Sequence, residues 1–142
     1  MVPSLLSVTD LPRSPISIAG RRRAAVAAGG AIGALLRGAT GEIVVLSGFD
    51  PLWTVLIVNV TGSLFLGFLI VWHTGQSRSS PLVIPFVGVG ILGAFTTFSL
   101  FSVEVFEMLR TGDLWLAVVY PIGMIGLGFA AALVGIRRGG SR

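Results

Sequence analysis

Three stretches of this chain, residues 52–72, 81–103 and 114–136, contain no charged side chain at all. A helix needs roughly 20 predominantly apolar residues to cross the hydrocarbon of a bilayer, where every backbone polar group must be paired within its own segment. Each stretch is long enough. A fourth, residues 24–46, is interrupted only by Arg37 and Glu42. The composition agrees: the 142 residues are 54% hydrophobic and 11% charged, whereas a soluble domain carries about 25% charged residues. The pattern predicts an all-α membrane protein with four transmembrane helices, spanning approximately 21–46, 52–72, 81–109 and 114–137.

Several chemistries are set aside by what the chain carries. It has no cysteine and one histidine, His73, at the end of a span. Disulfides, thiolate metal sites and cysteine nucleophiles are excluded, a zinc site has little support, and no Ser/His/Asp arrangement can be assembled. These counts argue against an enzyme. Residues 1–20 hold Pro3, Pro12 and Pro15 but no apolar run, and the arginines follow this segment where a secretory signal would have them first. The segment reads as a flexible tail, with the first span entering the bilayer after Arg21, Arg22 and Arg23 and residues 139–142 forming a short C-terminal tail. Connections are expected near 47–51, 73–80 and 110–113, where Gly, Pro, Ser and Asp gather.

All ten basic residues are arginines. With four spans, both termini and the middle loop share one side, which carries Arg13, Arg21, Arg22, Arg23, Arg78, Arg137, Arg138 and Arg142. The other side has Arg110, with Arg37 near its boundary. The positive-inside rule puts the termini in the cytoplasm. The twenty glycines read as packing residues, because lipid supplies no hydrophobic drive for helix association. Gly29 and Gly33 form a GxxxG pair. Gly62, the pair Gly126 and Ala130, and the pair Gly128 and Ala132 give further small faces. Four thin helices are too few to enclose an aqueous path, so a working unit larger than one chain is expected.

Polar groups inside the spans need partners. Asn59 offers an amide that suits an anion or an interhelical hydrogen bond, and both readings stand. Thr61 and Ser63 are expected to bond to their own helix. Arg37 can draw anions into a vestibule, snorkel to the interface or pair with Glu42. Glu104 is close enough to the apolar run to be a buried hydrogen-bonding group, Glu107 is expected in water, and Tyr120 is either an interface residue or a hydroxyl facing a path. Trp53, Trp72 and Trp115 lie near span ends, as an aromatic belt requires.

The segment GAFTTFSLFS, from Gly93 to Ser102, sets two threonines, two serines and three phenylalanines inside a hydrophobic span. If the helix breaks near Gly93–Thr97, its carbonyls lose their partners, and freed carbonyls at membrane depth suit a hard cation such as sodium. Beyond the break, Phe98 and Phe101 share a helix face. The positive edges of their rings can meet a small anion without a fixed cation to hold it, with Ser99 and Ser102 as nearby hydroxyls. A kinked helix with its phenylalanines in lipid is the alternative.

Taken together, GGAIGALLR, VNVTGSLFLG and GILGAFTTFSLFSVE resemble the Fluc/CrcB fluoride channels, in order and with family-like spacing from about Gly29 to about Tyr120. The resemblance implies a third helix broken near its middle and an antiparallel dimer with two narrow fluoride pathways and a structural sodium ion at the dimer interface. It implies that Gly93 and Thr96 are backbone-carbonyl sodium ligands, that Phe98 and Phe101 are the paired pore phenylalanines, that Asn59 lines the pore, and that Arg37 and Tyr120 sit along the path with Ser99 beside it. The implied activity is passive, selective fluoride export across the cell membrane. The chain departs from the family pattern at Ala94, Leu100, Met124 and Gly128, where a glycine and hydroxyl side chains are usual, which leaves open which pathways of a dimer conduct. The partner is either a second copy or an oppositely oriented homologue, and the one-sided arginine bias favours the homologue. Two other functions fit the size: a small antiparallel multidrug-type exporter, with Glu104 as its proton-exchanging carboxylate, and a non-conducting partner subunit.

Overall fold

The computed structural model describes residues 17–76 and 80–140. Residues 1–16, which make up most of the expected N-terminal tail, lie outside the described residues, as do Arg13, Arg78 and Arg142. The chain folds as α1 (Ile18–Leu46), α2 (Leu52–Thr74), α3 (Ile84–Leu92, wound as a π-helix and running on through Gly93–Phe95), α4 (Ser99–Arg110) and α5 (Leu114–Gly139). Four segments are long and apolar enough to cross a membrane, with α3 and α4 together making the third. The third helix is broken near its middle, as expected. α1 begins at Ile18, because the Ser17 side chain accepts from the Gly20 N–H at 3.3 Å and caps the first turn. Residues 18–20, read from sequence as tail, are therefore helical, and Arg21–Arg23 lie inside the helix.

The connections follow from turn chemistry. Gly48 and Gly112 have φ of 77° and 83°, a left-handed conformation that a side chain resists. Asp50 accepts from the Leu52 N–H at 2.8 Å ahead of α2, and Asp113 accepts from the Leu116 N–H at 3.2 Å to cap α5.

Two helix pairs build the fold, and in both the helices run in the same direction. α5 lies along α2, and α1 lies along α3. Glycine sets the distance in each. A Cβ on Gly67 would fall on the carbonyl oxygen of Ala132, and one on Gly135 would fall on that of Leu64. On the other pair, a Cβ on Gly29 would meet the Phe86 carbonyl and one on Gly33 the Ile91 carbonyl, while a Cβ on Gly90 would sit 2.9 Å from the Gly29 Cα. The GxxxG pair thus packs within the chain, against α3. Gly62 meets Thr96, and Gly128 makes ordinary contact with Ser63 Oγ at 3.5 Å, whereas nothing lies within 4 Å of Gly126. Val55, Met108, Ala117, Tyr120 and Met124 form a small buried cluster. Outward-facing residues such as Leu35, Ile125 and Phe129 are exposed on the single chain.

Candidate functional site

The break falls at Thr96–Phe98. Thr96 leaves the helix with ψ of 158°, and two neighbouring helices hold the loosened backbone. From α2, the Asn59 Oδ1 accepts the Thr97 N–H at 2.8 Å while its Nδ2 donates to the Thr97 carbonyl at 2.9 Å. This reciprocal pair satisfies both polar groups of one residue and fixes the amide's orientation. From α1, Arg37 Nη1 donates to the Thr96 carbonyl at 3.4 Å. Of the readings open for Asn59, the interhelical bond is the one made, and its second amide N–H remains available to a ligand. For Arg37, no pair with Glu42 is present among the described residues, and one nitrogen of its head group is bonded at the break.

Thr97 was not singled out from sequence, yet it organises the break. The residue is buried, at 7% relative exposure. Its hydroxyl accepts from the Leu100 N–H at 3.2 Å, which satisfies a donor in the first turn of α4, and lies 3.2 Å from the Ser99 hydroxyl. The signal was available in principle, since a threonine three residues before a backbone N–H at a helix start is a capping pattern.

These diversions determine which carbonyls are released. The N–H that would close the helix on the Gly93 carbonyl belongs to Thr97, and it goes to Asn59. The N–H that would close on the Thr96 carbonyl belongs to Leu100, and it goes to the Thr97 hydroxyl. Gly93 and Thr96, named from sequence as cation ligands, are therefore the two positions whose helical donors are demonstrably taken elsewhere. Neutral carbonyl oxygens are hard donors, and the set fits a monovalent hard cation, with the difference that the Thr96 oxygen also faces a guanidinium.

Asn59, Ser63, Gly93, Thr96, Thr97 and Phe98 line an open groove of about 330 Å³. Most hydroxyls here are already donating: Ser63 to the Asn59 carbonyl at 2.7 Å, Thr96 to that of Leu92 at 3.0 Å, and Ser102 to that of Phe98 at 2.8 Å. Thr61 likewise bonds back to Ile57. Beyond the groove an aromatic row continues. The Phe98 and Phe101 rings are 5.7 Å apart, and the Phe101 and Tyr120 rings 5.6 Å apart. Tyr120, buried in the cluster, donates its hydroxyl to Glu104, so both residues are accounted for by each other. Glu107 is exposed and pairs with Arg110 at 2.6 Å.

The expected site residues thus separate into connected groups. Asn59, Gly93, Thr96 and Phe98 share the groove, Ser99 joins it through Thr97, and Phe101 and Tyr120 extend the aromatic row. Arg37 reaches the same break from α1 and is not part of the groove wall. At the break the Gly93 and Thr96 carbonyls have lost their helical donors, the Thr96 oxygen being bonded to Arg37 instead, and the groove beside them is lined by the Asn59 amide and the exposed Phe98 ring.

Residues 24–136 match the family model described as CrcB-like protein, Camphor Resistance (CrcB). Among its relatives, a protein of Roseobacter denitrificans is 40% identical over 118 residues, covering 78% of this chain and 89% of the relative. One of Thermus thermophilus is 39% identical over 119 residues, covering 82% and 93%. One of Hyphomonas neptunium is 42% identical over 118 residues, covering 78% and 89%. Each of the three is named a fluoride-specific ion channel FluC. With the family model spanning most of the chain and relatives matched over nearly their whole length, this multi-pass membrane protein belongs to the CrcB family.

Proposed function

We propose that this chain is a subunit of a passive fluoride export channel in the cell membrane. The observation that carries the reading is the broken third span, whose groove and aromatic row present neutral donors at membrane depth. Fluoride enters as neutral HF, ionises near neutral pH and is trapped, so a selective path down its electrochemical gradient needs no other energy source. In this reading the second Asn59 N–H and one hydrogen of the Thr97–Ser99 hydroxyl pair bind the anion. The edges of Phe98 and Phe101 pass it on. The Tyr120 hydroxyl, engaged with Glu104, holds the far ring of the row in position. No fixed cation stands on the groove wall, so the anion is met weakly enough to leave, as conduction requires.

The carbonyls of Gly93 and Thr96 would hold a structural sodium ion at the interface of an antiparallel dimer. When bound, that ion supplies positive charge to released carbonyls that lipid cannot satisfy. The termini are cytoplasmic in this reading. The arginine bias favours one orientation, so the partner is an oppositely oriented homologue. An exporter that exchanges protons on Glu104 has less support, because that carboxylate is bonded to Tyr120 near a span end. A non-conducting partner subunit has one observation in its favour: Met124, one turn beyond Tyr120, is buried among apolar residues and extends no polar track.

Fluoride efflux from sodium-containing proteoliposomes, followed with a fluoride electrode and a chloride control, tests the proposal. Rapid fluoride efflux from this chain alone would support a homodimeric channel. Efflux only after co-reconstitution with a homologue of opposite charge bias would support the paired subunit. Silence in both arms would sink the channel reading.

A further inference from the structure

Gly29, Gly33 and Arg37 are four residues apart and lie on one face of α1. Their counterparts on the third span are the carbonyls of Phe86, Ile91 and Thr96, five apart. A π-wound helix closes its hydrogen bonds from i to i+5, so steps of five along α3 keep pace with steps of four along α1. At the first two steps a glycine lets the carbonyl come close. At the third the helix has ended, the carbonyl has lost its Leu100 donor to Thr97, and a half-buried arginine stands in the glycine's place and donates to it. The packing line that seats α1 on α3 therefore carries a guanidinium to a released carbonyl.

Resting on the sodium reading above, we infer that Arg37 is the resident counter-cation of the break. It satisfies the Thr96 carbonyl in the subunit before any ion or partner arrives, and it competes with the ion for that oxygen afterwards. Arg37 is then a positioning residue whose positive charge limits how tightly sodium binds, a different role from gathering anions at a vestibule. A carbonyl oxygen has two lone pairs, so the two cations can share it, but they repel across it.

The test is the thermal unfolding midpoint of whichever purified assembly conducts fluoride, measured against sodium concentration, with choline replacing sodium at constant ionic strength. Wild type is compared with R37Q and R37K. Without sodium, R37Q is expected to melt below wild type. Its midpoint should then rise further on adding sodium, with the half-saturating concentration lowered on the order of tenfold, the weight of one hydrogen bond to a charged group. R37K keeps a charge but loses the planar fork and should fall between the two. If R37Q is not recovered folded, a stronger sodium response in R37K than in wild type carries the proposal, and an equal response overturns it. A merely structural role would lower the midpoint equally with and without sodium, and that parallel shift would overturn the inference while leaving the sodium site standing. A flat response in wild type would remove the sodium site and the inference with it.

Discussion

Asn59 carries more than one contact because both atoms of its amide close on the same residue. Removing it would leave the N–H and carbonyl of a buried residue, Thr97, without their side-chain partner. Asn59→Leu is similar in size but has neither donor nor acceptor. It should destabilise the subunit by about 1–3 kcal/mol, the cost of orphaned buried polar groups, and it should abolish fluoride efflux. A chemical-denaturation midpoint and an efflux assay on the same preparation check this. Unchanged stability with lost efflux would mean that Asn59 acts on the anion alone. At this scale the sequence marked Asn59 and the phenylalanines, because a lone amide and an aromatic cluster are conspicuous in an apolar run. Thr97 passed unnoticed because adjacent threonines look alike in sequence. Only the direction of the backbone after Thr96 tells the buried threonine from its neighbour.

Among the elements, the third span departs furthest from a regular helix. Pro85 offers no N–H, and Gly88, Gly90 and Gly93 hold no side chain to resist unwinding, which is why a weak helix was foreseeable there. The π winding of Ile84–Leu92 was not, since it arises where the carbonyls of α3 meet the glycines of α1. That contact makes a sharp contrast testable. A methyl at Gly33 would fall on the Ile91 carbonyl, a backbone atom that cannot turn aside, whereas one at Gly30 meets nothing within 4 Å. Gly33→Ala should cost about 1–3 kcal/mol by overpacking, while Gly30→Ala should be neutral or slightly stabilising within the subunit, given the helix propensity of alanine. Thermal unfolding of both variants in detergent reads the difference. Equal midpoints would remove the glycine seat from the account of how α3 is wound.

For the whole molecule, the described arginines divide unevenly. Arg21, Arg22, Arg23, Arg137 and Arg138 stand at one end, Arg110, bonded to Glu107, stands at the other, and Arg37 is held at the break between them. The bias predicts a single orientation in the membrane. A C-terminal reporter active only in the cytoplasm should give signal, and one active only outside should give none. Comparable signal from both would end the case for an oppositely oriented homologue and return the partner to a second copy.

Run length and charge by themselves determined that this chain spans a membrane four times, because the cost of bringing charges and unpaired backbone into hydrocarbon leaves few alternatives. The glycines and hydroxyl residues of GAFTTFSLFS marked the segment where the third span gives way. What only the tertiary structure decided is where the freed groups went. The partners of Asn59 and Arg37 lie 38 and 59 residues away along the chain. A hydrogen bond over such a separation depends on the relative register of packed helices, and although the GxxxG pair marks the glycines, the carbonyls they seat against, which set that register, are not named by any local pattern.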